Sequence, residues 1–250
     1  MKNVFSIITI TTILFGCSTQ NPSPNNSLNN SVTDIDGNIY HTVQICNQLW
    51  TAKNLDVSRY RNGDVIPEVN DSATWNHLTT GAWCYYNHDP AMGAIYGKLY
   101  NWYAVNDPRG LAPQGWHVST EQDWNSLLSC LDPIATIFCY DCEPSEKVGK
   151  VLKSTSGWAP SSTGANCNGT DSTGFSALPG GLIEKGYYFP ANGIKGLWWS
   201  STESHSYPLK EAIFHRLSNI LYSTDNSSWD GIYRATSGKQ DGMSVRCVKD

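Results

Sequence analysis

Charged residues are scarce in this 250-residue chain, where Asp, Glu, Lys and Arg make up 16% of the sequence. That is well below the roughly 25% of an ordinary globular protein, which argues against disorder, a coiled coil or a long charged helix. Lys and Arg number 17 against 22 acids, for a formal charge of -5. A nucleic-acid binder carries a basic face to neutralise phosphates, so the balance argues against nucleic acid as a partner. Beyond the N-terminus no segment approaches the roughly 18 to 20 apolar residues of a membrane-spanning helix. Gly-x-Ser-x-Gly, the P-loop and Gly-x-Gly-x-x-Gly are all missing, which removes the most recognisable hydrolase and nucleotide-binding signatures. The histidines His41, His77, His88, His117, His205 and His215 form no His-Glu-x-x-His and no paired metal spacing. No metal, cofactor or catalytic residue is nominated.

What is present begins with an address. Lys2 precedes an apolar run from Val4 to Phe15, followed by Gly16 and Cys17, the layout of a signal peptide over residues 1–16. Leu14-Phe15-Gly16-Cys17 resembles a bacterial lipobox, in which cleavage before the cysteine makes it the lipidated N-terminus. An ordinary secretory signal with an incidental cysteine is the alternative. Residues 17–34 then read as lipidated Cys17 and a flexible Asn/Ser/Pro tether, long enough to hold a folded body off a membrane. Ser18, not Asp, follows Cys17, which favours the outer membrane of the cell envelope.

Residues 35–250 have even composition, no second linker and no fixed-period repeat, and read as one domain. Ile39 to Ile45 alternates apolar and polar, Cys46-Asn47 can turn, and Gln48 to Ala52 returns, which predicts a hairpin. Ser119 as cap, Gln122 reaching back, and Trp124, Leu127, Leu128 and Leu131 at i, i+3, i+4 and i+7 predict a helix over 119–131 that packs those four side chains inward. A second helix is expected after Gly97, with Leu99, Trp102 and Tyr103 on one face and Asp107-Pro108 as its stop. Short strands are expected at 175–178, 187–189, 197–200, 212–217 and 244–248. Two main helices and short antiparallel strands joined by long loops make an α+β domain. The connection over 132–173 is expected to be irregular and held by disulfides.

Seven segments together resemble the Fibrobacter succinogenes major paralogous domain, a family of exported bacterial proteins. They are Ile45-Cys46-Asn47-Gln48-Leu49-Trp50 with Ala52-Lys53-Asn54-Leu55, Gly81-Ala82-Trp83-Cys84-Tyr85-Tyr86-Asn87, Tyr96-Gly97-Lys98-Leu99-Tyr100-Asn101-Trp102, Gly115-Trp116-His117-Val118, Leu178-Pro179-Gly180-Gly181, Trp198-Trp199-Ser200-Ser201-Thr202-Glu203 and Ser244-Val245-Arg246-Cys247-Val248. The resemblance runs from about residue 39 to the C-terminus. It implies a relative of the C-type-lectin-like and formylglycine-generating-enzyme folds, in which terminal strands meet and long loops carry function, and it implies no established activity. Members often carry Cys where Gly93 and Ala112 stand, and Gly where Cys46 stands. The resemblance therefore leaves Cys84 and Cys247 without their usual partners, and a bridge between these two is one expectation, with a buried free Cys247 as the other.

An exported chain that uses Cys17 for lipid retains Cys46, Cys84, Cys130, Cys139, Cys142, Cys167 and Cys247, an odd number that leaves a free thiol. Cys130, Cys139, Cys142 and Cys167 have only one Cys-x-x-Cys pair, short of a zinc ribbon. Glu143 and Glu146 beside that pair oppose a low thiol pKa and a redox role. Structural disulfides stapling the 130–170 loop remain the default reading of Cys130, Cys139, Cys142 and Cys167, with Cys84 and Cys247 as the further disulfide candidates. A calcium-dependent lectin site is unsupported, since the Glu-Pro-Asn and Gln-Pro-Asp triplets are absent and His77 follows Trp75-Asn76. A thiol or copper oxidase would need two reactive cysteines in one cleft, and fold likeness does not supply them. The aromatic residues remain: Trp198, Trp199, Trp229, Tyr187, Tyr188 and Tyr222 could stack on sugar faces. Against this stands the preference of such rings for the core, to which Trp50, Trp102, Trp116, Trp124 and at least one of Trp198 and Trp199 are assigned. The expected protein binds a polysaccharide or an envelope partner without catalysis. The alternatives are a purely structural envelope lipoprotein and a thiol or copper oxidase.

Overall fold

The computed structural model describes residues 30–134, 145–161, 164–184, 189, 192–219 and 231–250. In chain order they form β1 (Ser31–Thr33), β2 (Ile39–Ile45), β3 (Gln48–Thr51), α1 (Ser72–Asn76), β4 (Trp83–Cys84), α2 (Pro90–Tyr96), β5 (Leu99–Asn101), α3 (Trp102–Val105), β6 (Trp116–Val118), α4 (Glu121–Leu131), α5 (Glu146–Leu152), β7 (Lys195–Glu203), β8 (Glu211–Ser218), β9 (Ile232–Gly238), β10 (Gly242–Met243) and β11 (Cys247–Lys249). The domain is mixed α/β with antiparallel sheets. Its central sheet runs β1-β2-β3-β11-β6, and two smaller sheets run β10-β5-β4 and β7-β8-β9; β1 pairs with β2, so residues 31–33 belong to the sheet and not to the tether expected over 17–34.

β2 and β3 pair from Thr42 with Thr51 to Ile45 with Gln48, as the alternation predicts. Cys46 takes the left-handed φ of 54° in the two-residue turn, a conformation that glycine adopts freely and other residues rarely do. That is the physical reason a glycine suits this position. Cys46 is bonded to Cys130 on α4, so the hairpin tip is tied to the helix C-terminal half across a sequence separation of 84.

α4 buries Trp124, Leu127 and Leu128 as expected, and Leu131 packs partly against the same cluster. Its cap lies one residue later than the spacing suggests. Thr120 accepts from the Asp123 amide while Asp123 accepts from the Thr120 amide, a reciprocal pair that satisfies donors the helix itself leaves open. Ser119 turns inward, and its Oγ accepts from Trp124 Nε1 at 3.0 Å.

The helix expected after Gly97 is corrected. Leu99 to Asn101 form β5, paired with both β4 and β10, and only Trp102 to Val105 are helical. Asn101 makes the break, because its Oδ1 accepts from the amides of Ala82 and Ala104 and so caps α3. The expected strand at 175–178 is a single bridge of Ala177 with Lys153, and the strand at 244–248 is confined to Cys247–Lys249. At 187–189 only Phe189 lies within the described residues. The expected strands at 197–200 and 212–217 lie inside the longer β7 and β8. The connection over 132–173 is not wholly irregular, since it holds α5, capped by Ser145 and burying Val148 and Leu152.

Val248 of β11 pairs with Trp50 of β3 and with His117 of β6, so the first hairpin and the last strand share one sheet. Tryptophans fill the core on both sides of it. Trp50 and Trp124 meet edge to face at 5.1 Å between ring centroids, and His215 stacks on Trp124 at 4.7 Å.

Candidate functional site

The segments that carry the sequence resemblance converge in the interior. Asn54 is their hub: its Oδ1 accepts from Trp198 Nε1 at 2.8 Å and from Arg246 Nε at 2.7 Å, and its Nδ2 donates to Tyr96 O and Ser244 Oγ. Arg246 is fully buried, donates to the carbonyls of Thr51, Phe175 and Ser176, and lies over the Phe175 ring. No carboxylate touches it among the described residues, and burial pushes its guanidinium down to about 9. These motifs are spent on holding strands, loops and α2 together.

The tryptophans follow the same logic. All nine in the described residues are buried. Trp198 and Trp199, expected as ligand contacts, are 1% and 0% exposed, and Trp199 Nε1 donates to Tyr100 O. They are corrected to core residues: large rings whose single donor meets an internal acceptor gain more from burial than from solvent. Trp229, Tyr187, Tyr188 and Tyr222 lie outside the described residues, as do Cys17, Cys139 and Cys142.

The cysteines depart from expectation in pairing. Cys130 takes Cys46, not a partner in its own loop. Cys84 and Cys247 are buried thiols not bonded to each other, which corrects the expected bridge. Burial pushes the Cys247 thiol up to about 12 and Cys84 higher still, so neither supplies a thiolate near neutrality. Cys167 is buried with its Sγ 3.4 Å from Ala165 O. Gly93, where relatives are expected to carry Cys, packs against Tyr85, and a Cβ there would lie 2.1 Å from the ring. Among the described residues no group of three His, Cys, Asp or Glu could hold a metal ion.

The concave surface lies beside the hub. A cleft of about 570 Å³ opens between β2, the 52–56 stretch after β3, α2 and residues 176–178. Its rim carries Ile39 and Ile95, 63% and 54% exposed, with exposed His41 and Lys53 along one side. Tyr96 stands in it half-buried; its hydroxyl donates to Asn192 Oδ1 at 3.3 Å, and burial raises its pKa.

The walls are rigid for stated reasons. Asn54 clamps the C-terminal end of α2 through Tyr96 O. Gly97, at φ 73°, lets the chain pass Leu55 O so closely that a Cβ would lie 2.8 Å from that oxygen. Beneath, buried Lys98 donates to Asp56 O at 2.6 Å and Oδ1 at 2.8 Å while lying over the Trp83 ring. Burial raises the Asp56 carboxyl although Lys98 pulls it down.

Ser176 donates to Asp171 Oδ2, and Asp171 also accepts from the Ser176 amide, which closes a turn. The sequence reasoning missed Ile39, His41, Lys53, Ile95 and Tyr96 as a group. They come from separated elements, and the one available signal, Asn54 and Tyr96-Gly97 inside the family-like segments, marks their support and not their surface.

No curated protein and no solved structure matches the chain. A sequence model described as the Fibrobacter succinogenes major domain matches residues 43–249. That span covers the hub, the closing strand and the cleft apart from its residues 38–41, and the chain belongs to the Fibrobacter succinogenes major domain family.

Proposed function

We propose that the protein is an exported bacterial lipoprotein, held in the outer membrane through acylated Cys17 and its tether, whose single C-type-lectin-like domain binds a polysaccharide or an envelope partner without catalysis. The observation that carries the binding role is the cleft: about 570 Å³, within the range of ligand-sized pockets, with a half-buried Tyr96 ring, two exposed isoleucines and polar groups from four segments. An aromatic face beside hydroxyl-competent side chains suits a sugar ring, which is apolar on its CH face and polar at its edge. A role other than a thiol oxidase is supported by the raised thiols. The acidic balance supports a partner other than nucleic acid.

The direct test is retention on cell-envelope polysaccharides or on envelope extracts. Tyr96→Ala is expected to lose retention at least ten-fold while keeping the circular dichroism spectrum of the parent. Unchanged retention by a folded Tyr96→Ala protein would remove the cleft from the reading. A purely structural role is the second reading, favoured by the burial of every described tryptophan. It expects no retention by either protein.

A further inference from the structure

Charge is unevenly spread around the cleft beside the hub. At its Asn38 end stands Asp56, whose carboxylate is met by Lys98 Nζ at 2.8 Å. Asp34 and Asp36, near enough to act on Asp56, are engaged as well. Asp36 faces Arg59 at 3.6 Å, and Asp34 accepts from the Tyr40 hydroxyl, the Asn38 side chain and the amides of Asp36 and Asn38.

The cations of the lining are not engaged in this way. Lys53 is exposed, and among the described residues no carboxylate pairs with it. Arg246 borders the same cleft from the buried side and spends its N–H groups on neutral oxygens, Asn54 Oδ1 and main-chain carbonyls. Those bonds satisfy its donors and leave its charge in place. The acid whose charge reaches it, Asp171, has both oxygens taken by Ser176. Arg246 acts through its field and not by touch, because a charge in a low-dielectric wall is screened far less than one in water.

The cleft therefore offers positive potential on a chain whose formal charge is -5. A cationic ligand would be repelled by Lys53 and Arg246, and a neutral one would gain nothing from them. The apolar side of the site lies next to Lys53 in space, since Asn54, its neighbour in the chain, holds Tyr96 O at 2.8 Å. Gly180 backs the Tyr96 ring, where a Cβ would lie 3.3 Å from Cγ, and so fixes its place. A ring with a CH face and a carboxylate at its edge matches both halves. From this juxtaposition we infer, on the reading that the cleft binds a glycan, that its ligand is an acidic one: the carboxylate of a uronate unit sits beside Lys53 and the sugar ring lies on Tyr96.

The test titrates the purified full chain by calorimetry with oligomers of galacturonate and of mannuronate and with the methyl esters of both, which keep the rings and lose the charge. At least one acid is expected to bind at least ten-fold more tightly than its ester, and to weaken several-fold between low and physiological ionic strength. Lys53→Gln, at an exposed position, is expected to weaken the acid at least five-fold and to leave the ester unchanged. Tyr96→Ala weakens both. The inference is overturned if neither acid binds, if the esters bind as tightly, if Lys53→Gln leaves acid binding unchanged, or if dextran sulfate displaces the acid at equal charge, which would reduce the effect to adhesion of any polyanion. Esters that bind as well as acids and are lost in Tyr96→Ala would overturn the acidic preference and leave the cleft as a glycan site. Acid binding that survives Tyr96→Ala in a folded protein would remove the cleft itself.

Discussion

His215 shows how a single side chain can set the acid limit of a fold. It sits in the middle of β8, fully buried, with neither ring nitrogen partnered among the described residues. Burial, with a further push from the Arg234 charge, takes its pKa from 6.5 to about 3. A group that must stay neutral when folded but protonates freely when unfolded adds stability above pH 6.5 that is lost as pH falls. At pH 5 this amounts to about 2 kcal/mol. His117 acts in the opposite sense. Its hydrogen bond to Asp123, with a second to Asp250, raises its pKa, so its contribution is complete below 6.5 and disappears as pH rises through the raised value. It is 37% exposed, and solvent screening keeps that contribution small. His215→Phe keeps a ring on Trp124 and removes the titration. Its Tm is expected to exceed the parent's by more at pH 5 than at pH 8; a parallel offset at both pH values would show that His215 does not set the acid limb.

Among the elements, the β2–β3 hairpin and α4 were the most legible, because each spans enough residues for its periodicity to register. β2 runs seven residues with Tyr40 and Ile45 buried and His41 and Gln44 exposed, and α4 repeats its apolar face over eleven. β4, β5, β6 and β10 are two or three residues long, too short to carry a period. α5 interrupts its pattern with Gly149, a residue that weakens helices by about 1 kcal/mol relative to Ala. The candidate cleft was illegible for a different reason. Its side chains come from elements that are local in space and not in sequence, and the residues with the plainest signal, the tryptophans, were already committed to the core. The link between hairpin and helix yields a test. A disulfide closing a loop of this length is worth on the order of 4–5 kcal/mol in the chain-entropy account, while a non-glycine residue at left-handed φ costs about 1–2 kcal/mol. Cys130→Ala is therefore expected to lose several kcal/mol in urea unfolding. Adding Cys46→Gly is expected to recover about 1 kcal/mol. A double variant less stable than Cys130→Ala would refute the strain at position 46.

At the scale of the molecule, the proposed anchor is tested by Cys17→Ser, which is expected to move the protein from the membrane fraction to a soluble one; one acyl chain binds marginally and stable anchoring takes two or more. The other whole-molecule feature is the place of β11, wedged between β3 and β6. Arg246 just before it bonds to Thr51 and Asn54, residues 195 and 192 positions earlier. Long-range closure of this kind slows folding, because loop entropy is lost before the contacts form. Deleting residues 247–250 is expected to abolish the cooperative thermal transition altogether; a sharp transition in the truncated chain would show that the sheet closes without its middle strand. The consequence is temporal. While the chain is being made, the central sheet has a gap that residues 247–249 fill, so the polypeptide stays threadable until those residues have been synthesised. For a protein proposed to cross a membrane before it folds, that late closure acts as a clock: the topology itself postpones the native state until the passage can be over.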